Sequence, residues 1–384
     1  VCSSDLCPDD KRMKLAFLIR HFDPQAGGAE RYAYEVVNHL RHRHECHVFC
    51  ISHRPLDGVH VHLSPSPDRR PRWLSLLRFA RWTRRETQSG FDAIFSNENL
   101  GFGDVQMVHV RPIRHDLFHR SWLKSVFNGL RVLLTPGLWV YLGMEHLRLR
   151  PRPGRVLVVP SEMTAHQLTD DLHCDAARVK VVLPGVNPAS APHNPHWIQQ
   201  RWGLTDRHRL ILLAAHDLEK KGLPLVLKAM PHWPEEVHLL VTPDKWHQDH
   251  WVKLVESLQL SHRVHWLDRG VDLNEVYPCA HVLVHPTRAD VYGMVVLEAM
   301  AHGLPVICSP SPFCGAAWHW TTQQEAWLLD SPDDVQGLIT GLRRLLEDDD
   351  LRQGLVQRGR RLAQQQTWAD VATRIEAQLK GLPS

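Results

Sequence analysis

Short apolar segments alternate with helical segments along this chain, and the alternation runs through the sequence twice. Residues 15–19 are an unbroken apolar run, which is typical of a parallel strand buried on both faces. A second series begins with the apolar run at 210–214. Strands that alternate with helices in this way form doubly wound parallel sheets. The chain is therefore expected to be an α/β protein with two Rossmann-like domains that face each other across a cleft.

The same patterns predict the other elements of both halves. In the first half we expect a helix at about 29–41 and strands at 48–51, 93–95, 105–110 and 156–159. In the second half we expect a helix through 223–230, strands at 237–241, 264–267, 282–284 and 306–308, and a final amphipathic helix at 368–379.

The junction between the halves is predicted near residues 184–195, where four prolines and no apolar period indicate a linker. We place an N-terminal domain at 13–186 and a C-terminal domain at 187–366. A final helical segment at 367–384 is a candidate for crossing back to the first domain. Residues 1–12 precede the first strand and are expected to be a non-native or disordered leader.

Composition narrows the class of protein. The chain has 384 residues, of which 43% are hydrophobic and 23% charged, as in soluble globular proteins. Its apolar runs fall short of the roughly 18 residues that a membrane-spanning helix needs, and we see no secretory signal. Eight cysteines without a C-x-x-C pair predict a reduced, cytoplasmic protein.

The formal net charge of +3 is unevenly distributed. Residues 13–190 contain 24 Lys and Arg against 16 Asp and Glu, whereas residues 191–384 contain 19 against 23. A basic half joined to a mildly acidic half predicts that the two halves have different partners.

The segment at 285–317, HPTRADVYGMVVLEAMAHGLPVICSPSPFCGAA, contains the most chemically informative pattern. A predicted strand ends at the first residues of this segment, and Asp290 lies in the loop that follows. A helix is predicted to begin near Gly293, with Glu298 about two turns into it. Gly293 would let a ligand approach backbone N–H groups, which together with the helix dipole favour an anion. Each residue alone also fits a plain cap or a solvated carboxylate, but the combination favours a ligand site.

These residues resemble the signature of the retaining family 4 glycosyltransferases, which have the GT-B fold of two Rossmann-like domains. That family has two glutamates eight positions apart, the second of which opens the motif E-A-x-A-x-G-x-P-V. This chain has E-A-M-A-H-G-L-P-V at 298–306, and Asp290 stands in place of the first glutamate. The resemblance implies that Glu298 binds the ribose of a nucleotide sugar and that Asp290 lies beside the donor sugar.

Other family landmarks follow in order along the chain. Gly27 and Gly28 resemble the glycine loop that faces the donor phosphates and the acceptor. The LPGVN segment at 183–187 resembles the family's P-x-G-V-D element. His216 stands where the family usually has arginine, and Lys221 keeps the family's lysine, which implies a catalytic role in neutralising the departing diphosphate.

Two segments, 216–222 and 309–317, resemble the lipopolysaccharide core glucosyltransferases. In that subgroup a Cys-Gly-x-Ala run opens a helix, so the backbone N–H groups of Cys314, Gly315 and Ala316 are expected to hold the donor, as are Gly293 and Met294. A reactive thiol at Cys314 is less favoured because no basic residue adjoins it in sequence. His109 is a further catalytic candidate, since the family often places a histidine at such a strand end over the donor sugar.

The resemblance also implies metal-independent chemistry with no cofactor beyond the nucleotide sugar, for which we expect UDP. The departing phosphate would take the acceptor's proton, as is inferred for the family. The HRHECH run at 42–47 mixes potential metal ligands, but its spacing fits a helix-to-strand corner better, and no metal site is expected.

A basic segment without acidic residues surrounds apolar positions at 69–85. Segments of this kind lie on anionic lipid or hold a phosphorylated acceptor, and a second basic stretch at 111–155 has a similar composition. The alternative is a surface helix whose Trp and Leu pack on the sheet. A nucleic-acid partner is not expected because no motif for one accompanies the charge. The residues assigned to this membrane or acceptor surface are Arg78, Arg81, Arg84, Arg85 and Trp82.

The sequence thus predicts a retaining glycosyltransferase, peripheral on the inner face of the cytoplasmic membrane, that moves a hexose to a lipopolysaccharide-core or other lipid-linked glycan. One alternative is a GT-B enzyme that uses a nucleotide sugar with a soluble acceptor or as an epimerase. Another is a non-catalytic binding module with a basic surface. A dinucleotide dehydrogenase is disfavoured because GFGDVQ at 101–106 lacks the third glycine.

Overall fold

The computed structural model describes residues 12–118, 132, 134–189, 194 and 196–382. The chain forms two compact units. The first contains the residues up to Leu183 together with those from Trp368 onward, and the second is Pro184–Thr367. The observed division after Leu183 lies three residues before the predicted one at 186, and most of the predicted leader lies outside the described residues.

The first unit is built on a parallel sheet of seven strands in the order β5-β3-β1-β6-β7-β8-β9. Strands β2 and β4 pair separately. The strands are β1 (Lys14–Leu18), β2 (His21–Phe22), β3 (Glu45–Cys50), β4 (Ser52–His53), β5 (His60–Leu63), β6 (Ala93–Ser96), β7 (Val105–Met107), β8 (Val156–Val159) and β9 (Val179–Val181).

Most of the described helices of this unit bury apolar side chains, whereas the short helix Ile113–Phe118 buries none. Phe79, on the second of them, joins the core beside Leu18 of β1 and Phe49 of β3. The helices are α1 (Gly28–Leu40), α2 (Arg72–Glu86), α3 (Ile113–Phe118), α4 (Pro136–Leu149) and α5 (Glu162–His166).

The second unit repeats the plan with a parallel sheet of six strands in the order β12-β11-β10-β13-β14-β15. Its strands are β10 (Arg209–Leu213), β11 (Val237–Val241), β12 (Val264–Trp266), β13 (Val282–His285), β14 (Val306–Cys308) and β15 (Trp327–Leu328). Its helices are α6 (Trp197–Trp202), α7 (Leu223–Ala229), α8 (Gln248–Ser257), α9 (Leu273–Val276), α10 (Met294–Ala301), α11 (Val335–Glu347) and α12 (Asp349–Gln364).

The final helix, α13 (Trp368–Lys380), follows the second unit in sequence but packs on α1 in the first unit. Its buried residues recur every three or four positions, which gives the helix one apolar face. The ring of Trp368 meets Tyr32 edge to face at 5.6 Å. His44 and Glu376 add a buried contact, with 3.0 Å between Nε2 and Oε1.

The prediction of two Rossmann-like, doubly wound domains is confirmed. The strand predicted at 105–110 is wrong beyond Met107. The N–H of Val108 still donates to Val158 at 2.8 Å, but β8 ends one residue later, so no partner strand remains. Among the described residues, no helix combines the length and the apolar character that crossing a bilayer requires.

Candidate functional site

Strands β10 and β13 are neighbours in the second sheet. The chain continues from β10 to β11 on one side of this pair and from β13 to β14 on the other. Loops that follow such neighbouring strands enclose the ligand crevice of doubly wound sheets. Lys221 lies in the loop after β10 and Asp290 in the loop after β13, and Nζ of Lys221 donates to the Asp290 carboxylate. Their side chains are 19% and 20% exposed, so the pair is shielded but reachable.

Gly222 allows the two loops to approach this closely. Its φ of 91° lies in the left-handed region that favours glycine. A Cβ at this position would stand 2.2 Å from the carbonyl oxygen of Pro286. The N–H of Arg288 donates to the Lys220 carbonyl at 2.9 Å and fastens the loops together. The lysine next to Gly222 is therefore held by backbone contacts as well as by its own ion pair.

His285, the last residue of β13, completes a three-residue charge cluster with Lys221 and Asp290. It is buried, and its Nε2 lies 3.0 Å from Oδ2 of Asp290. Burial lowers the pKa of His285, so the imidazole is neutral and donates its Nε2–H to the carboxylate. Burial opposes ionisation of Asp290, but Lys221 and His285 together hold its pKa well below the usual range. The cluster thus pairs one cation with one anion.

Helix α10 begins directly after this loop. Gly293, at its N-cap, has a φ of 99°, and a Cβ there would lie 3.1 Å from Sγ of Cys314. No side chain among the described residues caps this helix, and its first turn contains no acid. The N–H groups of the first turn, which begins at Met294, are thus suited to bind an anion beside Lys221.

Glu298 is the fifth residue of α10, a little over one turn from its start, whereas the sequence predicted about two turns. It is 6% exposed, and its Oε2 accepts a hydrogen bond from the hydroxyl of Tyr277 at 2.8 Å. A buried carboxylate that already accepts one hydroxyl has the chemistry to accept a further one from a ligand.

The N–H groups of Cys314, Gly315 and Ala316 do not fit the predicted donor contact in this structure. They donate to Pro310 at 3.2 Å, to Asp290 at 3.1 Å and to Tyr292 at 2.7 Å, respectively. The loop therefore braces the Asp290 loop, and a donor would have to displace these bonds. Cys314 itself is buried and its Sγ contacts the Tyr292 carbonyl at 3.4 Å, which makes it a packing residue.

His216 lies in the loop after β10, ahead of Lys221, and its side chain is exposed. Partial desolvation of the ring, and then the charges of Lys245 and Lys221, lower the pKa of His216. A neutral imidazole can donate one hydrogen bond but does not supply the positive charge of the arginine that the family usually has here.

In the first unit, Gly27 and Gly28 lie where predicted, at the N-terminus of α1. Gly27 is the N-cap, with extended backbone at φ 165°, and a Cβ there would meet only the flexible end of Glu30. The described residues provide no side-chain cap for α1 either. Another small residue at position 27 would therefore keep this backbone, and the carboxylate of Glu30, in the first turn of α1, lies close to this helix N-terminus.

In the first sheet the corresponding neighbours are β1 and β6, because the chain continues from β1 to β3 on one side and from β6 to β7 on the other. An ion pair also joins the segments that follow these two strands. Arg20 follows β1 and Glu98 follows β6. Glu98 accepts the Arg20 backbone N–H at 3.1 Å and its Nε–H at 3.0 Å. Each sheet thus has a cation after one central strand and an acid after its neighbour.

A cavity of about 270 Å³ lies beside this pair, with His109 in its wall. His109 stands two residues beyond β7, and its buried Nδ1 has no hydrogen-bond partner among the described residues. Burial, and then the charge of Arg148, lower the pKa of His109 to about 4. Arg148 is itself buried, and its Nε and Nη2 also lack partners among the described residues. The cavity therefore offers unused N–H donors to an anionic or hydroxylated group.

The predicted membrane surface on α2 is corrected in one position. Arg78, Arg81, Arg84 and Arg85 are exposed. Trp82 is half-buried instead, with its ring 5.7 Å from that of Phe49 and 5.8 Å from that of Phe79. The tryptophan belongs to the core, as the alternative reading predicted, and the arginines alone form the surface. Much of the second basic stretch, residues 119–131 and 133, lies outside the described residues.

Several residues of these sites were not predicted from the sequence. His285 ends a strand, and Arg20 and Glu98 each lie two residues beyond one, so the rule that strand ends line the crevice would have found them. Tyr277 lies in a short turn far from the motif, and Arg148 lies on a helix. For these two, no local pattern gives a signal.

Models of two families match the chain. The model of Glycosyltransferase Family 4 matches residues 26–190, and that of Glycosyl transferases group 1 matches residues 198–362. Together the two matches cover most of the chain, one in each unit.

Among curated relatives, the chain is similar to the lipopolysaccharide glucosyltransferase WaaG of Escherichia coli K12, with 25% identity over 249 residues, 62% of this chain and 66% of that protein. It is also similar to an uncharacterized glycosyltransferase of Methanocaldococcus jannaschii, with 26% identity over 205 residues, 51% of this chain and 52% of that protein. The chain thus spans between about half and two thirds of these relatives' lengths.

Solved structures resemble the chain over nearly its whole length. A crystal structure of WaaG aligns with a TM-score of 0.82 at 19% identity, covering 96% of this chain and 100% of that one. The structure of Anabaena HepE in complex with UDP and glucose aligns with a TM-score of 0.74 at 18% identity, covering 97% and 100%. At these identities the likeness concerns the fold.

Proposed function

The chain belongs to the glycosyltransferases of the GT-B type, and from this premise we propose that it transfers a hexose from a UDP-linked donor to a lipid-linked glycan, with retention at the anomeric carbon. The observation that carries the proposal is the Lys221–Asp290 pair beside the uncapped N-terminus of α10. A cation and free helix N–H groups suit a diphosphate, and the acid suits the hydroxyls of a sugar.

In the proposed reaction, the bond between C1 of the donor sugar and the diphosphate oxygen breaks. A bond from the acceptor oxygen to C1 forms on the same face of the sugar, and the acceptor's proton passes to the departing diphosphate. Charge accumulates on the diphosphate as the bond breaks, so Lys221 stabilises the transition state more than the bound donor. Asp290 holds the lysine in position before the donor arrives and then accepts hydrogen bonds from the sugar.

Glu298 has the role of ribose ligand in this proposal. Its carboxylate lies on α10, four residues beyond Met294, on the same element that offers N–H groups to the diphosphate. Tyr277 donates to one of its oxygens and so limits the rotation of the side chain. UDP is preferred as the nucleotide because the structurally similar Anabaena protein was crystallised with UDP and glucose.

The acceptor is assigned to the first unit, where the cavity beside Arg20 and Glu98 contains N–H donors on Arg148 that have no partner in the described part of the chain. Arg20, Arg111 and Arg148 outnumber Glu98 and Glu145 in its wall, so the cavity is suited to a hydroxyl-rich glycan that carries negative charge. The name of the Escherichia coli relative supports a lipopolysaccharide-core acceptor.

The proposed donor is tested by thermal unfolding with UDP, GDP or ADP, each in the presence of EDTA. A nucleotide at one hundred times its Kd adds about 2.7 kcal/mol of stability, which raises the Tm by several degrees. We expect this shift with UDP and not with ADP, and we expect it to persist in EDTA because the diphosphate is held by Lys221 and helix N–H groups. If none of the three nucleotides raises the Tm, the proposal is contradicted.

We also propose that the exposed arginines of α2 attach the protein to the inner face of the cytoplasmic membrane. Arg78, Arg81 and Arg85 recur at helical spacing and share one side of the helix. Each arginine close to an anionic surface contributes about 1 kcal/mol, so the three on the shared side contribute about 3 kcal/mol, and replacing all four arginines with serine should weaken binding to anionic vesicles by at least about 100-fold.

The matched control removes four exposed positive charges elsewhere by replacing Arg207, Lys253, Arg343 and Arg361 with serine. Vesicle sedimentation at low salt separates the two variants. Equal loss of binding in both would show a non-specific effect of net charge and would remove the role of α2.

A further inference from the structure

Four side chains with metal-binding atoms lie on one face at the edge of the first sheet. Edge strand β5 pairs in parallel with β3, and the register sets His47 opposite His60 and Phe49 opposite His62. Side chains alternate between the two faces of a strand. Glu45 and His47 therefore share a face of β3, and His60 and His62 share the same face of β5.

The ligand atoms are already close together. One potential ligand atom from each of Glu45, His47 and His60 lies within 4.8 Å of the other two. Nε2 of His47 is 2.8 Å from Oε1 of Glu45, and Nδ1 of His47 is 2.9 Å from Nε2 of His62. Ligands around a tetrahedral Zn²⁺ lie roughly 3.3 Å apart, given metal–ligand distances near 2.0–2.1 Å. Because Nε2 of His47 already faces Glu45, this atom would bind the ion, while Nδ1 of the same ring stays with His62.

Neighbouring aromatic rings hold these histidines in place. The ring of His62 stacks on Phe49 with 4.4 Å between centroids, and His47 meets Phe91 edge to face at 5.2 Å. His60 stacks on His47 at 4.6 Å. Ligands whose rings are fixed by packing lose little freedom when an ion binds.

The electrostatics suit a divalent ion. An imidazole nitrogen presents a lone pair to an ion, and the Glu45 carboxylate adds a negative charge. Lys14 competes for Glu45, with 3.8 Å between Nζ and Oε1, but both side chains are 41% exposed and the lysine is free to turn into solvent.

We propose that Glu45, His47 and His60 bind one divalent transition-metal ion of the Zn²⁺ type and that this ion fastens edge strand β5 to β3. Two imidazoles and one carboxylate match the three protein ligands of a zinc site whose fourth position takes water. His62 contacts Nδ1 of His47 and orients that ring. All three ligands belong to the first unit, and the donor-site residues of the second unit take no part. The HRHECH run therefore contributes Glu45 and His47 to a site whose third ligand, His60, lies on the next strand of the sheet.

The test uses untagged protein, stripped with a chelator and titrated with Co²⁺ in the visible absorption range and with Zn²⁺ by calorimetry. We expect one ion per chain. His60→Asn is the main variant because His60 is exposed and its replacement leaves the core intact. Losing even an outer partner of a metal ligand typically weakens binding 10–100-fold, so loss of a ligand should weaken it by about 100-fold or more.

The matched control is His42→Asn, an exposed histidine of the same HRHECH run that lies outside the proposed ligand set. It should bind the metal as the parent does, while Glu45→Gln should bind more weakly. The proposal is overturned if the parent binds no ion, or if His60→Asn and Glu45→Gln bind with the parent's affinity and Co²⁺ spectrum. In the latter case the ion would lie elsewhere, for example at the His238 and His265 pair.

Discussion

Replacement of Lys221 with alanine should reduce kcat by about 10²–10³-fold, the loss typical of removing one group that stabilises developing transition-state charge. The Kd for the donor should change much less, because the lysine acts mainly on charge that appears as the sugar–phosphate bond breaks. In the structure the ammonium already has an anionic partner, Asp290, and must exchange it for the diphosphate. Steady-state kinetics together with a separate measurement of donor binding test the two effects independently.

Lys220→Ala is the matched control, since Lys220 is adjacent in sequence, carries the same charge and is exposed. Its kcat should stay within a factor of about two of the parent value. If Lys221→Ala retains the parent's kcat, or if it loses only donor affinity, Lys221 is a binding residue without a role in the transition state.

The second large effect is expected at Glu298. Glu298→Ala removes the carboxylate that we assign to the ribose, and hydrogen bonds to a charged group contribute about 1.5–3 kcal/mol each. Two such bonds correspond to roughly 3–6 kcal/mol, so the Kd for UDP should rise by at least about 100-fold. Calorimetric titration with UDP measures this loss directly and needs no acceptor.

Two variants separate the loss of a ribose ligand from damage to the fold. Tyr277→Phe removes the hydroxyl that donates to Glu298 but leaves the carboxylate in place, so UDP binding should fall only modestly. Glu256→Ala removes an exposed acid from α8 and should leave binding unchanged. Parental UDP affinity in Glu298→Ala, with an unchanged circular dichroism spectrum, would disprove the donor-site assignment.

The fold and part of the site follow from local sequence patterns because the physics behind them is local. Residues 15–19 and 210–214 are apolar without interruption, and such a run is typical of a strand that is buried on both faces. Asp290, Gly293 and Glu298 lie within nine residues of one another, so a strand, a turn and a helix predicted from one segment are enough to bring them together.

Contacts between distant segments could not be predicted in this way. Lys221 and Asp290 are 69 positions apart, and their ion pair depends on β10 and β13 being neighbours in the sheet. Trp82 was misassigned because the amphipathic pattern of α2 does not reveal which side of the helix meets the sheet. The N–H groups near Cys314 were misjudged for a related reason, since two of their three acceptors, Asp290 and Tyr292, belong to a different loop.

The position of α13 has a consequence for synthesis of the chain on the ribosome. The first unit needs this helix to cover Tyr32 and to pair with His44, yet Pro184–Thr367 is translated in between. Until Trp368 and the residues after it emerge, the nascent first unit exposes the apolar face of α1, a surface that chaperones bind. The second unit is continuous in sequence and can complete its fold earlier, so the half that is made first is the last to be finished.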